Sequence, residues 1–229
     1  EEQAAVELTA RDIEEKLALY VDCSEVLRQQ LERSWERYTD HVDEQGKPKR
    51  RGGAFIYPVS DTGFRTCSDA EDRGPDKPPK MPELERKMDE VIRHAKTYAE
   101  LSRELDTYFT ERGFADDNWD TLEQTHPDLQ EAFESWQAAD AVLDLNLDTE
   151  KARNDPALLE ELESSASDVE YLSRALVIVA RPFVRCLQRE PDLSRCEESF
   201  GVLTEAYAAY AEHYRLNRED DSEIFWMRT

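Results

Sequence analysis

The sequence predicts an all-α fold: an elongated bundle of about five long antiparallel helices with one long irregular loop. Three observations indicate this class. Apolar residues recur at helical spacing, so each helix would bury one stripe and expose a wide polar face. Charged residues make up 36% of the 229-residue chain, which suits such faces. The 7 glycines are too few for a turn-rich β-sandwich or barrel.

The first two helices are expected over about 7–43 and 82–113. A proline suits the first turn of the second helix, and a glycine follows its last turn. The segment 46–82 between them is rich in proline and glycine, which predicts a long irregular loop inserted between helices 1 and 2. Loops of this length are usually functional or mobile. We expect residues 1–229 to form a single helical domain.

Three more helices are expected in the second half of the chain. The third spans about 116–146 and is interrupted or kinked near Pro127. Asp155, followed by proline, predicts a fresh N-cap and therefore a fourth helix over about 155–187. The fifth helix is expected over about 193–217.

The chain is strongly acidic, with 53 acidic and 29 basic residues and a net charge of −24. This charge repels phosphate backbones, so it argues against nucleic acid and anionic membrane surfaces as partners. We interpret the charge as a solvated surface; a cation-binding surface, a basic partner and a saline habitat are the alternatives. No stretch approaches the ~18 consecutive apolar residues of a membrane span, so no transmembrane segment is expected in this chain.

The four cysteines predict two disulfides, although four cysteines allow three pairings. The segment 190–192 should separate two helices, and this hairpin would bring Cys186 and Cys196 into bridging range. Cys23 would then pair with Cys67 and tie the long loop to the first helix. Zinc is disfavoured because close Cys-x2–4-Cys pairs are absent, and four buried thiols are the remaining alternative. Disulfides indicate an oxidising compartment outside the cytoplasm.

The stretch "FADDNWDTLEQTHPDL" contains the candidate binding residues, namely Asp116, Asp117 and His126. Helix capping accounts for most of its polar residues, because either aspartate can cap the next helix and the His-Pro pair suits another helix start. His126 is left without a clear role. Di-iron bundles need two Glu-x-x-His pairs, and Glu123 to His126 is a single such spacing. We therefore assign no metal ligands and no cofactor.

The sequence lacks the motifs that carry common chemistries. It contains no P-loop, GxGxxG, Gly-x-Ser-x-Gly or HExxH pattern. A glycosidase would need two positioned carboxylates, and sequence alone does not nominate a pair among so many acids. We therefore expect a protein that is not an enzyme; a hydrolase with paired carboxylates in a cleft is the remaining alternative.

The stretch "LDTYFTERGFADDNWDTLEQTHPDLQEAFESWQAAD" resembles the central motif of the YiiG-like bacterial lipoproteins, whose shared domain has unknown function. The matching features are paired aromatics, Asp-Asp, His-Pro, a leucine and Ala-Phe. They fall on Tyr108-Phe109, Asp116-Asp117, His126-Pro127, Leu129 and Ala132-Phe133. The resemblance implies a helical domain that is exported from the cytoplasm and often lipid-anchored. It implies no activity.

Together these observations predict a non-enzymatic cell-envelope domain, periplasmic or at the cell surface, that binds an envelope protein or a small ligand. Its contact surface is expected at the 46–82 loop and the nearby helix ends. The alternative is a metal-binding or cation-binding envelope protein that uses clustered carboxylates, with His126 as a ligand. Membrane attachment is expected only through an N-terminal lipid anchor that lies outside this chain.

Overall fold

The computed structural model describes residues 8–49, 54–165, 167–189 and 192–216. This described part contains seven α-helices, one short 3-10 helix and no β-strand. The predicted all-α class is therefore confirmed. The chain divides into two compact units, Glu1–Ala152 and Arg153–Thr229. That residues 1–229 form one domain stays a prediction.

Helix α1 spans Ala10–His41 and begins with a reciprocal cap. The Asp12 N–H donates to Thr9 Oγ1 at 3.2 Å, and the Thr9 N–H donates to Asp12 Oδ2 at 2.9 Å. Residues at helical spacing bury one face of this helix against the core of the first unit. They are Leu17, Tyr20, Cys23, Leu27, Leu31 and Tyr38.

Helix α2 spans Asp61–Asp72, inside the segment that the sequence predicted to be an irregular loop. That prediction was therefore wrong for this part of 46–82. Only Gly63, Cys67 and Ala70 of α2 are buried, which is too short a pattern to reveal a helix in the sequence. A disulfide joins Cys67 to Cys23 of α1, with a Cα–Cα distance of 4.6 Å, and so fixes α2 on the core.

Helix α3 spans Pro82–Thr110 and starts with a proline and two glutamates in its first turn, as expected. Its apolar stripe packs with those of α1, α2 and the first part of α5 into one hydrophobic core. The Lys16 side chain of α1 is fully buried beside the start of α3. Its ammonium donates to the carbonyls of Lys77 and Pro79 at 3.0 and 2.7 Å and to Glu85 at 2.5 Å.

The third and fourth predicted helices form a single helix, so the predicted end near 146 and the predicted start near 155 are wrong, and so is the interruption predicted near Pro127. After the short helix α4 (Phe114–Asp117), helix α5 runs without interruption over Asp120–Ser165. It passes through Asp155, where the sequence predicted a fresh start. The Asp155 carboxylate does not cap there but pairs with Arg181, whose Nη1 lies 2.7 and 2.8 Å from its two oxygens. A tertiary ion pair thus replaces the expected local cap.

The second unit contains the end of α5, helix α6 (Asp168–Arg189), the 3-10 helix Leu193–Cys196 and helix α7 (Glu197–Leu216). The fifth predicted helix therefore starts as a 3-10 turn, and its predicted end at 217 lies outside the described residues. Asp192 caps this turn by accepting from the Ser194 N–H at 3.0 Å. The second disulfide joins Cys186 to Cys196 across the hairpin. Both disulfides therefore have the pairing that the sequence predicted.

Candidate functional site

A cleft of about 740 Å³ lies in the first unit, where the end of α1, the turn that follows it and the start of α5 meet. The cleft is lined by indole, imidazole, amide, hydroxyl and charged side chains. The main contributors are Trp35 and Thr39 from α1, Asp43, Glu44, Gln45 and Lys49 from the turn, and His126 and Gln130 from α5.

The turn over 42–49 is held in shape by its own hydrogen bonds. Val42 bridges Pro48, and Asp43 Oδ1 accepts from the N–H groups of Gln45 and Lys47 at 2.9 and 2.8 Å. The bond from Lys47, together with that from Gln45, outweighs partial burial and holds the pKa of Asp43 below its ordinary value. The Asp43 carboxylate is therefore ionised at neutral pH.

His126 lies at the base of this turn and is only 7% exposed. Its Nδ1 is 2.8 Å from Tyr38 Oη, and the two rings stack with centroids 5.8 Å apart. Its Nε2 is buried and has no hydrogen-bond partner among the described residues. Tyr20 Oη and Trp136 Nε1 are also buried without a partner there, but neither residue lines this cleft.

Gly46 lets the turn approach the imidazole closely. Its φ is +77°, in the left-handed region that side chains disfavour. A Cβ at this position would lie 2.8 Å from the Cβ and 3.0 Å from the Cγ of His126. Glycine is therefore required both by the backbone conformation and by the space above His126.

Replacing Gly46 with alanine is expected to lower the free energy of unfolding by about 1–3 kcal/mol, because the residue is strained and its methyl group collides with His126. Urea unfolding followed by circular dichroism measures the change. Gly201→Ala is the matched control, because nothing lies within 4 Å of the added methyl group in α7. It should stabilise the chain by up to about 1 kcal/mol. Equal effects of the two substitutions would contradict the close approach of Gly46 to His126.

The other two predicted candidates lie outside the cleft. Asp117 accepts hydrogen bonds from Tyr108 Oη at 2.7 Å and from the N–H groups of Trp119 and Thr121 at 3.0 and 3.1 Å. It therefore caps the start of α5, as the sequence allowed. Asp116 is exposed in α4, and its side chain has no hydrogen bond among the described residues. Of the three candidates, only His126 lines the cleft.

The Asp117 cap should make stability depend on pH. Hydrogen bonds from Thr121, with those from Tyr108 and Trp119, outweigh burial and lower the pKa of Asp117 to about 2. A carboxyl group whose pKa is lowered on folding stabilises the folded protein at pH values above the unfolded pKa of that group, about 3.9. The stabilisation is lost as the pH falls through the folded pKa of the group. The stability difference between the protein and its Asp117→Asn variant should therefore shrink between about pH 4 and pH 2.

Urea unfolding at a series of pH values measures this difference. Asp116→Asn is the matched control and should leave the pH profile of the parent protein unchanged. A difference between the protein and Asp117→Asn that stays constant from pH 5 to pH 2 would show that Asp117 does not act through its charge.

Sequence reasoning did not single out Tyr38, Asp43 or Gly46, the residues that hold His126 and the turn above it. Tyr38 belongs to the buried stripe of α1, so its pattern indicated core packing alone. Asp43 and Gly46 lie in "DEQGK", an arrangement typical of a turn closed by an aspartate. This pattern predicts a turn, but it does not predict which side chain lies beneath the turn.

The described residues give no support to a metal site. They contain no group of three or more His, Cys, Asp or Glu side chains that could hold a metal ion. In the same part of the chain, no helix is both long enough and apolar enough to cross a membrane.

The described part of the chain is all-α and disulfide-bridged, and its first compact unit contains a polar cleft built around a buried histidine. A family model described as "Protein of unknown function (DUF3829)" matches residues 12–226. The chain therefore belongs to this family, which agrees with the unknown-function domain that the sequence resemblance implied. Searches of curated proteins and of solved structures found no match.

Proposed function

We propose that this protein is a non-enzymatic, exported domain that binds a small polar ligand in the cleft above His126. One observation carries the proposal: a ring nitrogen of a buried histidine in the cleft wall lacks a hydrogen-bond partner among the described residues. Leaving a buried polar group unsatisfied costs about 1–3 kcal/mol. Of the unpaired buried groups among the described residues, His126 Nε2 is the one whose residue lines the cleft. A ligand that pairs with this nitrogen would remove that cost.

The surroundings of His126 suit binding. The volume of about 740 Å³ lies within the ~300–1,000 Å³ typical of small-molecule sites. Tyr38, Gly46 and the hydrogen-bonded turn hold the imidazole in one place before any ligand arrives, which reduces the entropy lost on binding. The turn also contains the first residues of segment 46–82, the expected contact surface.

The cleft suits binding better than catalysis. Thr39 supplies a hydroxyl to its lining, and that hydroxyl donates to the α1 carbonyls of Trp35 and Glu36 at 3.0 and 3.1 Å. It is therefore not activated by a neighbouring base. Among the residues that line the cleft, serine and cysteine are absent. We therefore assign binding rather than catalysis to this cleft.

Native mass spectrometry with a defined panel of amino acids, sugars, polyamines and dicarboxylates tests this proposal. At least one class should bind with a 1:1 stoichiometry. Gln130→Trp should abolish binding, because its larger side chain fills the cleft. Gln124→Trp is the matched control, since Gln124 lies exposed on the same helix outside the cleft. Absence of saturable binding across the panel, or binding that survives Gln130→Trp, would overturn the proposal.

The two disulfides indicate an oxidising, exported location, because such bonds persist outside the reducing cytoplasm. We infer further that the domain belongs to the bacterial cell envelope, in the periplasm or at the surface, as a YiiG-like lipoprotein with a lipid anchor before this chain. The resemblance of the central motif supports this. Labelling cells that express the full gene with an alkyne fatty acid should tag the protein, whereas an unlabelled protein would rule out the anchor.

A further inference from the structure

We propose that the cleft selects a neutral, polyhydroxylated molecule of the sugar class. This inference rests on the proposed binding function and concerns the same site. Its basis is the tautomer of His126 that the hydrogen bond to Tyr38 favours, together with the charges of the surrounding side chains.

The hydrogen bond between Tyr38 and His126 fixes which imidazole nitrogen carries the proton. Burial raises the pKa of Tyr38, so its phenol keeps its proton at neutral pH. Among the described residues, His126 Nδ1 is the sole hydrogen-bond partner of Tyr38 Oη. If Nδ1–H donated to Tyr38, both the phenol proton and the Nε2 lone pair would be buried without a partner. If Tyr38 donates to Nδ1, a single group is left unpaired.

The second arrangement is favoured because it buries fewer unsatisfied groups. In that tautomer the hydrogen lies on Nε2, so His126 offers a buried N–H donor. The complementary ligand atom is therefore a hydrogen-bond acceptor, such as a hydroxyl, ether or carbonyl oxygen. An ammonium group, which can only donate, does not fit this position.

Charged side chains of both signs line the rest of the cleft. Asp43 and Glu44 contribute carboxylates, and Lys49 contributes an ammonium group that donates to the Thr39 carbonyl. The two carboxylates and the net charge of −24 repel an anion, and the Nε2–H of His126 offers an ammonium group no acceptor. A neutral molecule avoids both penalties.

The uncharged side chains of the cleft match a hydroxylated ligand. The amides of Gln45 and Gln130 can each donate and accept, as a sugar hydroxyl does. Trp35, which stacks on Phe133 with ring centroids 4.7 Å apart, adds a fixed apolar surface for the C–H groups of such a ring. Acceptor, donor and apolar contacts are thus combined in the way that sugars require.

The experiment uses the whole chain and isothermal titration with neutral sugars: glucose, galactose, mannose, N-acetylglucosamine and trehalose. At least one should bind, and a charged analogue of similar size, glucosamine or glucuronate, should bind at least about 5-fold more weakly, which is a difference of about 1 kcal/mol. His126→Phe should abolish binding, and Gln124→Trp should not change it. Nitrogen-15 NMR of labelled histidine should show the His126 tautomer with the proton on Nε2, and its signal should shift when the sugar binds.

The outcomes separate this inference from the proposed function. If a charged analogue binds as tightly as the neutral sugar, or if His126 carries its proton on Nδ1, selection of neutral sugars is wrong while a binding cleft remains. If no neutral sugar binds but another class of the wider panel does, and Gln130→Trp blocks it, the sugar inference alone fails. If no compound of either set binds, both fail.

Discussion

Replacing Lys16 with methionine is expected to lower the free energy of unfolding by about 3–5 kcal/mol, because it removes one partner of a buried ion pair. The Lys16 side chain is fully buried, and that of Glu85 is 16% exposed. Methionine fills similar volume but leaves the Glu85 carboxylate without its ammonium partner. It also leaves the carbonyls of Lys77 and Pro79 without their donor.

Chemical unfolding of the two proteins measures this loss. Lys96→Met is the matched control, because Lys96 forms an ion pair with Glu71 at 2.8 Å while both side chains are partly exposed. Such surface pairs contribute about 0–1 kcal/mol. A Lys16→Met variant as stable as Lys96→Met would show that the buried pair is not needed for folding.

The same pair should contribute to stability in a pH-dependent way. Burial raises the pKa of Glu85, but the hydrogen bonds from Lys16 and from the Met81 N–H, with the charge of Lys16, outweigh it and leave the pKa lowered. A depressed carboxyl pKa stabilises the folded state above the unfolded pKa and loses this effect as the pH falls through the folded value. The cost of Lys16→Met should therefore decrease in acid.

Removing the disulfide between Cys23 and Cys67 by alanine substitution of both residues should lower the free energy of unfolding by about 4 kcal/mol. The two cysteines are 44 residues apart, and closing so long a loop restricts the unfolded chain strongly. The disulfide between Cys186 and Cys196 spans 10 residues, so its removal should cost less, about 3 kcal/mol.

Urea unfolding of the two double variants, with the parent protein under oxidising conditions, measures both losses. Each variant is the control for the other, because each loses one disulfide and the two disulfides lie in different compact units. Addition of a reductant should bring the parent protein to the summed effect of the two variants. If the variant without the Cys23–Cys67 disulfide is as stable as the parent protein, this disulfide is not what fixes α2 on the core.

The helix boundaries show which signals in a sequence are reliable. The stripes of α1 and α3 follow helical spacing over many turns, and both helices lie where the spacing predicted. Helix α2 has three buried residues, so its local pattern was too weak to distinguish it from the loop. The start predicted at Asp155 was wrong because Arg181 pairs with that carboxylate, and no local rule anticipates a partner 26 residues away.

The sequence by itself determined the all-α class, the acidic composition, the pairing of the four cysteines and the two aspartates, Asp116 and Asp117, from which the cap at the start of α5 comes. These features depend on residue spacing, composition or hydrogen bonds between near neighbours. Tertiary structure alone decided the site. Tyr38 and His126 are 88 residues apart, and the turn that covers them is held close by Gly46. The packing of α1 against α5 decides whether His126 is buried and which of its two nitrogens has a hydrogen-bond partner. The reason is that a buried group forms hydrogen bonds with its neighbours in space, which need not be its neighbours in the sequence.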